Sequence, residues 1–146
     1  LSCKTNSIDF LFLRVKSINM ANTNAVTWFE IYVDDMARAR KFYETVLGKT
    51  MQEMEMPEGY DGQMVAFPWV EGAPNASGAL VKDAHLKPSA SGTIVYFATE
   101  DCGLELSRVA QAGGTIVTPK MSIGPYGFCG LVNDSEGNII GFHSMK

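Results

Sequence analysis

The chain has 146 residues, with 12 Lys and Arg against 16 Asp and Glu, for a formal net charge of −4. That length suits a single domain, which buries roughly 70% of its unfolded surface and so holds a core without staples; the mixed, mildly acidic charge leaves no basic stripe for nucleic acid. Three cysteines, Cys3, Cys102 and Cys129, match neither a disulfide framework nor a paired metal spacing, which points to a reducing, cytoplasmic setting, and no apolar run approaches the ~20 residues of a membrane helix.

Residues 1–19 differ in character from the remainder of the chain and precede Met20, so they read as an N-terminal extension to one domain over 20–146. They lack the apolar stretch and small-residue cleavage site of a secretory signal. The run over 8–15 has strand composition; it would add to a sheet edge or cover a partner subunit, or be an extension without a role.

From Thr27 the alternation is regular. Phe29, Ile31 and Val33 point to one face of a strand, and Trp28, Glu30 and Tyr32 to the other. Asp34 or Asp35 caps a helix in which Ala39, Phe42, Tyr43, Val46 and Leu47 recur at helical spacing, and Gly48 ends it by admitting a left-handed residue. Strand-like runs over 49–56, 63–70 and 77–83 are separated by turns at Pro57/Gly59 and Gly72/Pro74. Residues 84–91 form a linker in which His85 is expected to be exposed.

The pattern then restarts. Residues 93–101 repeat 27–35 position for position, 66 residues on. Leu106, Val109 and Ala110 define a second amphipathic helix stopped by Gly113-Gly114, and strands follow over 115–119, 127–133 and 138–144, with a hairpin turn at 133–137. The order is βαβββ twice, an α+β architecture with modules over about 25–83 and 92–144. Its mixed sheets surround one surface, with helices on the outer faces.

The repeat, the run VDDMARARKFYETVLG over 33–48, the tail DSEGNIIGFH over 134–143 and the segment AGGTIVTP over 112–119 together resemble the glyoxalase/bleomycin-resistance/extradiol-dioxygenase group, the vicinal oxygen chelate superfamily. The resemblance implies that the modules curl into a cup, whose metal enzymes carry His or Glu ligands on the cup side of four strands. Carried over residue by residue, those positions fall on Trp28, Ile94, Gly141 and either Gly78 or Ala79. Divalent ions are held by imidazole, carboxylate or thiolate donors, and Trp offers only an N–H. The resemblance therefore implies a branch without the shared metal site, and no cofactor is expected.

The alternation assigns the emptied cup to Trp28, Glu30 and Tyr32 from the first strand, to Ile94, Tyr96 and Ala98 from its copy, and to His143, with Met64 or Trp69 closing one side. An aromatic-walled pocket with a few polar groups is the usual make-up of a small-molecule site. A carboxylate in the middle of an apolar-rich strand needs a reason. Glu30 reads as a general base or an acceptor for a cationic ligand, or else as a group at a wet rim bonded to Tyr32 or Tyr96. His143 is its candidate proton-transfer partner, or a structural histidine. Cys129 has no base beside it in sequence, Cys102 opens the second helix, and 124–128 reads as a gating loop or a tight turn.

The leading expectation is metal-independent binding of a small organic molecule, such as a drug or a cationic, amphipathic metabolite. The second is an isomerase, epimerase or lyase using Glu30 and His143 as acid and base, and the third a partner-binding module with a filled cup. Exposed sheet edges and the resemblance both suggest a homodimer.

Overall fold

The computed structural model describes residues 26–56, 58, 59 and 61–146. The expected extension with its 8–15 run, Cys3 and Met20 lies outside the described residues, as do Pro57 and Tyr60. The first module is β1 (Trp28–Tyr32), α1 (Met36–Leu47), β2 (Gln52–Glu53), β3 (Gly62–Ala66) and β4 (Ser77–Asp83). The second is β5 (Val95–Ala98), α2 (Cys102–Val109), β6 (Thr115–Ser122), β7 (Phe128–Asn133) and β8 (Ile139–Ser144), with a 3-10 turn over Gly124–Tyr126 between β6 and β7. Each module forms a four-stranded mixed sheet, in the order β1-β4-β3-β2 or β5-β8-β7-β6, so that the two halves have the same topology. In each, the first strand is parallel to the last and the remaining pairs are antiparallel.

The repeat extends to the helix caps. Asp35 takes extended backbone angles and its carboxylate accepts the Arg38 amide at 3.0 Å, while its counterpart Asp101 accepts the Gly103 amide at 2.8 Å. Gly48 closes α1 at φ 64°, its amide returning to the Glu44 carbonyl, a conformation that costs a residue without Cβ nothing. Both helices lay their apolar stripe on one face of their own sheet. Those helix-side faces merge into a shared core that includes Ile31, Phe42, Tyr43 and Leu80 from the first module and Leu106, Val132 and Phe142 from the second. The rings of Phe29, Phe67 and Phe97 bridge the modules with centroids 5.3 to 5.8 Å apart, the tilted and edge-on range that aromatic quadrupoles favour.

Some boundaries differ from expectation. β3 stops at Ala66 rather than running to residue 70, because Pro68 has no N–H to offer the ladder. Ala110 is exposed: α2 ends at Val109, and Cys102, fully buried, takes the core position instead. β6 runs on to Ser122 by absorbing two register shifts, the second of which spans Pro119.

The β7–β8 turn of the second module reaches across to the first. The Glu136 carboxylate, its side chain fully enclosed, accepts the amides of Asp34 and Asp35, each at 2.9 Å, and pairs with the Arg38 guanidinium. Burial alone would raise the Glu136 pKa; Arg38 and the two amides outweigh it and hold the carboxyl below its ordinary value. Beside it, the Tyr43 hydroxyl donates to buried Asp134 at 2.7 Å, and the Asn138 amide donates to Asp134 and to the Tyr32 carbonyl. Burial, reinforced by that carboxylate, pushes the Tyr43 pKa well up and keeps the hydroxyl protonated as a donor. Among the described residues no helix is long and apolar enough to cross a membrane.

Candidate functional site

β1 and β5 are the edge strands of their sheets, and a cleft of about 920 Å³ opens where they meet the 68–77 segment. Val26, Phe29 and Phe67 come from the first module, Ile94, Tyr96 and His143 from the second, and Trp69 from the segment between β3 and β4. Trp69 is 56% exposed and Tyr96 50%, so two large aromatic surfaces are left to solvent within one concavity. The charged groups at the cleft are Lys49, Glu100 and Glu105. Glu100 is paired with Lys146 at 2.7 Å, and one Glu105 oxygen is paired with Arg108 at 2.9 Å. The other Glu105 oxygen is buried without a hydrogen-bond partner.

Two glycines shape these walls by what they lack. A Cβ on Gly141 would run into the Tyr96 ring, which lies against the β8 backbone, and a Cβ on Gly78 would meet the carbonyl and ring of Phe29.

The eight expected ligand-binding residues do not meet in one cup within the chain. Trp69, Ile94, Tyr96 and His143 line the cleft, whereas Trp28, Glu30 and Tyr32 do not. Met64 borders a separate groove of about 230 Å³, together with Met36, Met54 and Met56. The physical reason is the shared core: with the helix-side faces of both sheets pooled in it, the Trp28, Glu30 and Tyr32 face is left open. Glu30 is exposed there and accepts the Tyr32 hydroxyl at 3.1 Å, so it bears no full desolvation cost. Glu30 therefore does not line the cleft that His143 lines. His143 is half-buried, and its Nε2 donates to the Tyr126 carbonyl at 2.7 Å. This bond ties β8 to the Gly124–Tyr126 turn, and the 124–128 run is a tight turn leading into β7. His85 is exposed, as expected for a linker residue.

The four positions that carry metal in the superfamily can be tested on this geometry. The β1–β4 register pairs Glu30 with Ala79 and Phe29 with Gly78, so of the two residues the resemblance offers for the fourth position Ala79 shares the Glu30 face and Gly78 the core side. Trp28, Ile94, Ala79 and Gly141 supply no imidazole, carboxylate or thiolate, and this donor set does not fit a divalent ion. Among the described residues no group of three or more His, Cys, Asp and Glu is placed to hold a metal ion.

Sequence reasoning placed Phe29 on the helix-side face of its strand and singled out neither Phe67 nor Phe97, yet all three line the cleft. It also missed Glu105. The available signal was the apolar run Pro68-Trp69-Val70 ahead of a Gly-Pro turn, more apolar than an ordinary surface loop.

The family model "Bleomycin resistance protein-like N-terminal" matches residues 25–60. A provisionally named glyoxylase, CFP32, of Mycobacterium bovis is 26% identical over 121 residues, covering 80% of this chain, and its Mycobacterium tuberculosis counterpart matches equally. The chain spans 42% of the length of these relatives. Among solved structures, glyoxalase I from Zea mays superposes with a TM-score of 0.65 at 19% identity, over 84% of this chain and 48% of that one. A glyoxalase/bleomycin resistance protein from Albidiferax ferrireducens T118 gives 0.59 at 18% identity, over 82% and 98%. Matched segment, curated relatives and solved folds agree with the doubled βαβββ topology, and the chain shares the fold of the glyoxalase and bleomycin resistance proteins to which it is similar.

Proposed function

We propose that this chain binds a small organic molecule with an aromatic or apolar body and a cationic or hydrogen-bond-donating head, and that it does so without the divalent ion of the superfamily's enzymes. The observation that carries the reading is the aromatic-walled cleft, whose volume of about 920 Å³ lies within the usual size range of small-molecule sites. Lost donors at the four metal positions support the metal-independent part, and the unpartnered Glu105 oxygen supports a ligand that brings a donor. The acid/base reading, with Glu30 and His143 acting as a pair, loses support because only His143 lines the cleft. The open face bearing Trp28 and Glu30 suits a second copy of the chain, and we take the working unit to be a homodimer.

The test is a fluorescence screen of cationic aromatic amines and drugs. Binding should change the emission of a Trp28→Phe variant, in which Trp69 is the remaining tryptophan, and Trp69→Phe should remove that response. A response that survives in Trp69→Phe and disappears in Trp28→Phe would place the ligand on the other face and overturn the reading.

A further inference from the structure

The second sheet carries a row of soft donors on the side away from α2. Register pairs Met121 on β6 with Cys129 on β7, and Cys129 with His143 on β8. Directly opposed residues share a face, with Cβ atoms roughly 5 Å apart between neighbouring strands. A thioether, a thiol and an imidazole therefore stand side by side. Met121 is 47% exposed, and Cys129 and His143 are half-buried, so the row is open to an incoming ion. Cys129, which has no base near it along the chain, stands opposite His143 across the sheet.

The His143 hydrogen bond decides which nitrogen is available. A carbonyl can only accept, so in the neutral ring Nε2 carries the proton for Tyr126 and Nδ1 keeps its lone pair. Metal-bound histidines are commonly fixed in this way, one ring nitrogen held by a backbone carbonyl while the other ligates. Thiolate with thioether selects a soft ion, and imidazole suits copper.

We propose that Met121, Cys129 and His143 form a binding site for a soft monovalent metal ion, Cu(I). On binding, the Cys129 thiol releases its proton to solvent as the S–Cu bond forms, and the His143 Nδ1 and Met121 Sδ lone pairs complete the set; no electron is transferred. None of the three residues occupies a metal position of the superfamily. The site shares His143 with the wall of the cleft but does not rest on the small-molecule reading, which needs no metal.

The test is an anaerobic Cu(I) titration of the full chain carrying Cys3→Ser, in competition with the chromogenic chelator bicinchoninate. One Cu(I) per chain is expected. Cys129→Ser should weaken binding by at least about 100-fold, the upper end of an outer-shell loss. His143→Gln, whose amide can still donate to the Tyr126 carbonyl, should weaken it roughly 10- to 100-fold. Met121→Leu, an exposed near-isostere that leaves the core untouched, should weaken Cu(I) and leave Zn(II) affinity unchanged, since the thioether contributes to the soft ion only. The proposal is overturned if bicinchoninate retains all the Cu(I), if Cys129→Ser binds as the parent does while its circular dichroism is unchanged, or if Cys102→Ser rather than Cys129→Ser abolishes uptake.

Discussion

Gly78 and Gly141 show how a single missing carbon shapes this protein. Neither is needed for a left-handed turn; each admits a ring against backbone, Phe29 at Gly78 and Tyr96 at Gly141. Gly78→Ala should cost roughly 1–3 kcal/mol in urea unfolding, because the added methyl meets the Phe29 carbonyl, which cannot rotate away as a side chain would. An unchanged unfolding midpoint would show that the strands separate freely at that point. At this scale the sequence was informative where a rule is local. A cap at Asp34 or Asp35, the left-handed Gly48 and the facing of Phe29 against Trp28 follow from spacing, while the choice of Asp35 and the matching cap at Asp101 come from the structure. Gly78 carried no such signal, since what excludes its side chain lies on another strand.

At the scale of elements, α1 is started by its own Asp35 and also held by the distant β7–β8 turn. Glu136 accepts two amides ahead of the helix and pairs with Arg38, an arrangement that adds negative charge where the helix dipole favours it. Glu136→Gln should lower stability by about 1–2 kcal/mol at neutral pH, the scale of a lost helix cap. Because the folded carboxyl titrates below the ordinary 4.5 of the unfolded chain, its contribution is fully present above about pH 4.5 and fades as pH falls through the folded value. The stability gap between parent and variant, followed by thermal unfolding from pH 7 to 3, should therefore stay constant to about pH 4.5 and close below it. A gap that widens in acid would mean that the folded pKa is raised instead. The turn itself was readable from its Asp-Ser-Glu-Gly composition, but its use as a clamp on α1 was not, because nothing local links Glu136 to a helix start 101 residues earlier.

Over the whole molecule, the doubled topology was legible because the second strand and helix repeat the pattern of the first. The relation between the halves was not. Alternation says which side chains share a face of one sheet, but it does not say how two sheets are set against each other. That is decided by the pooled core and by the contacts among Phe29, Phe67 and Phe97. Within one chain the residues assigned to the cup are therefore parted between a cleft and an open face. If the open face is where a second copy docks, sedimentation equilibrium should give twice the 15.9 kDa chain mass, and Trp28→Glu should shift it to the single mass while circular dichroism stays the same. A monomeric mass for the parent chain at micromolar concentration would remove the dimer from the proposal.

The clamp of Glu136 on the first module also bears on how the protein is made. A ribosome delivers the start of α1 long before residues 134–138, and until those emerge the amides of Asp34 and Asp35 and the hydroxyl of Tyr43 lack their final acceptors. The first half of the chain is thus built early but finished last, completed by a turn near the end of the second.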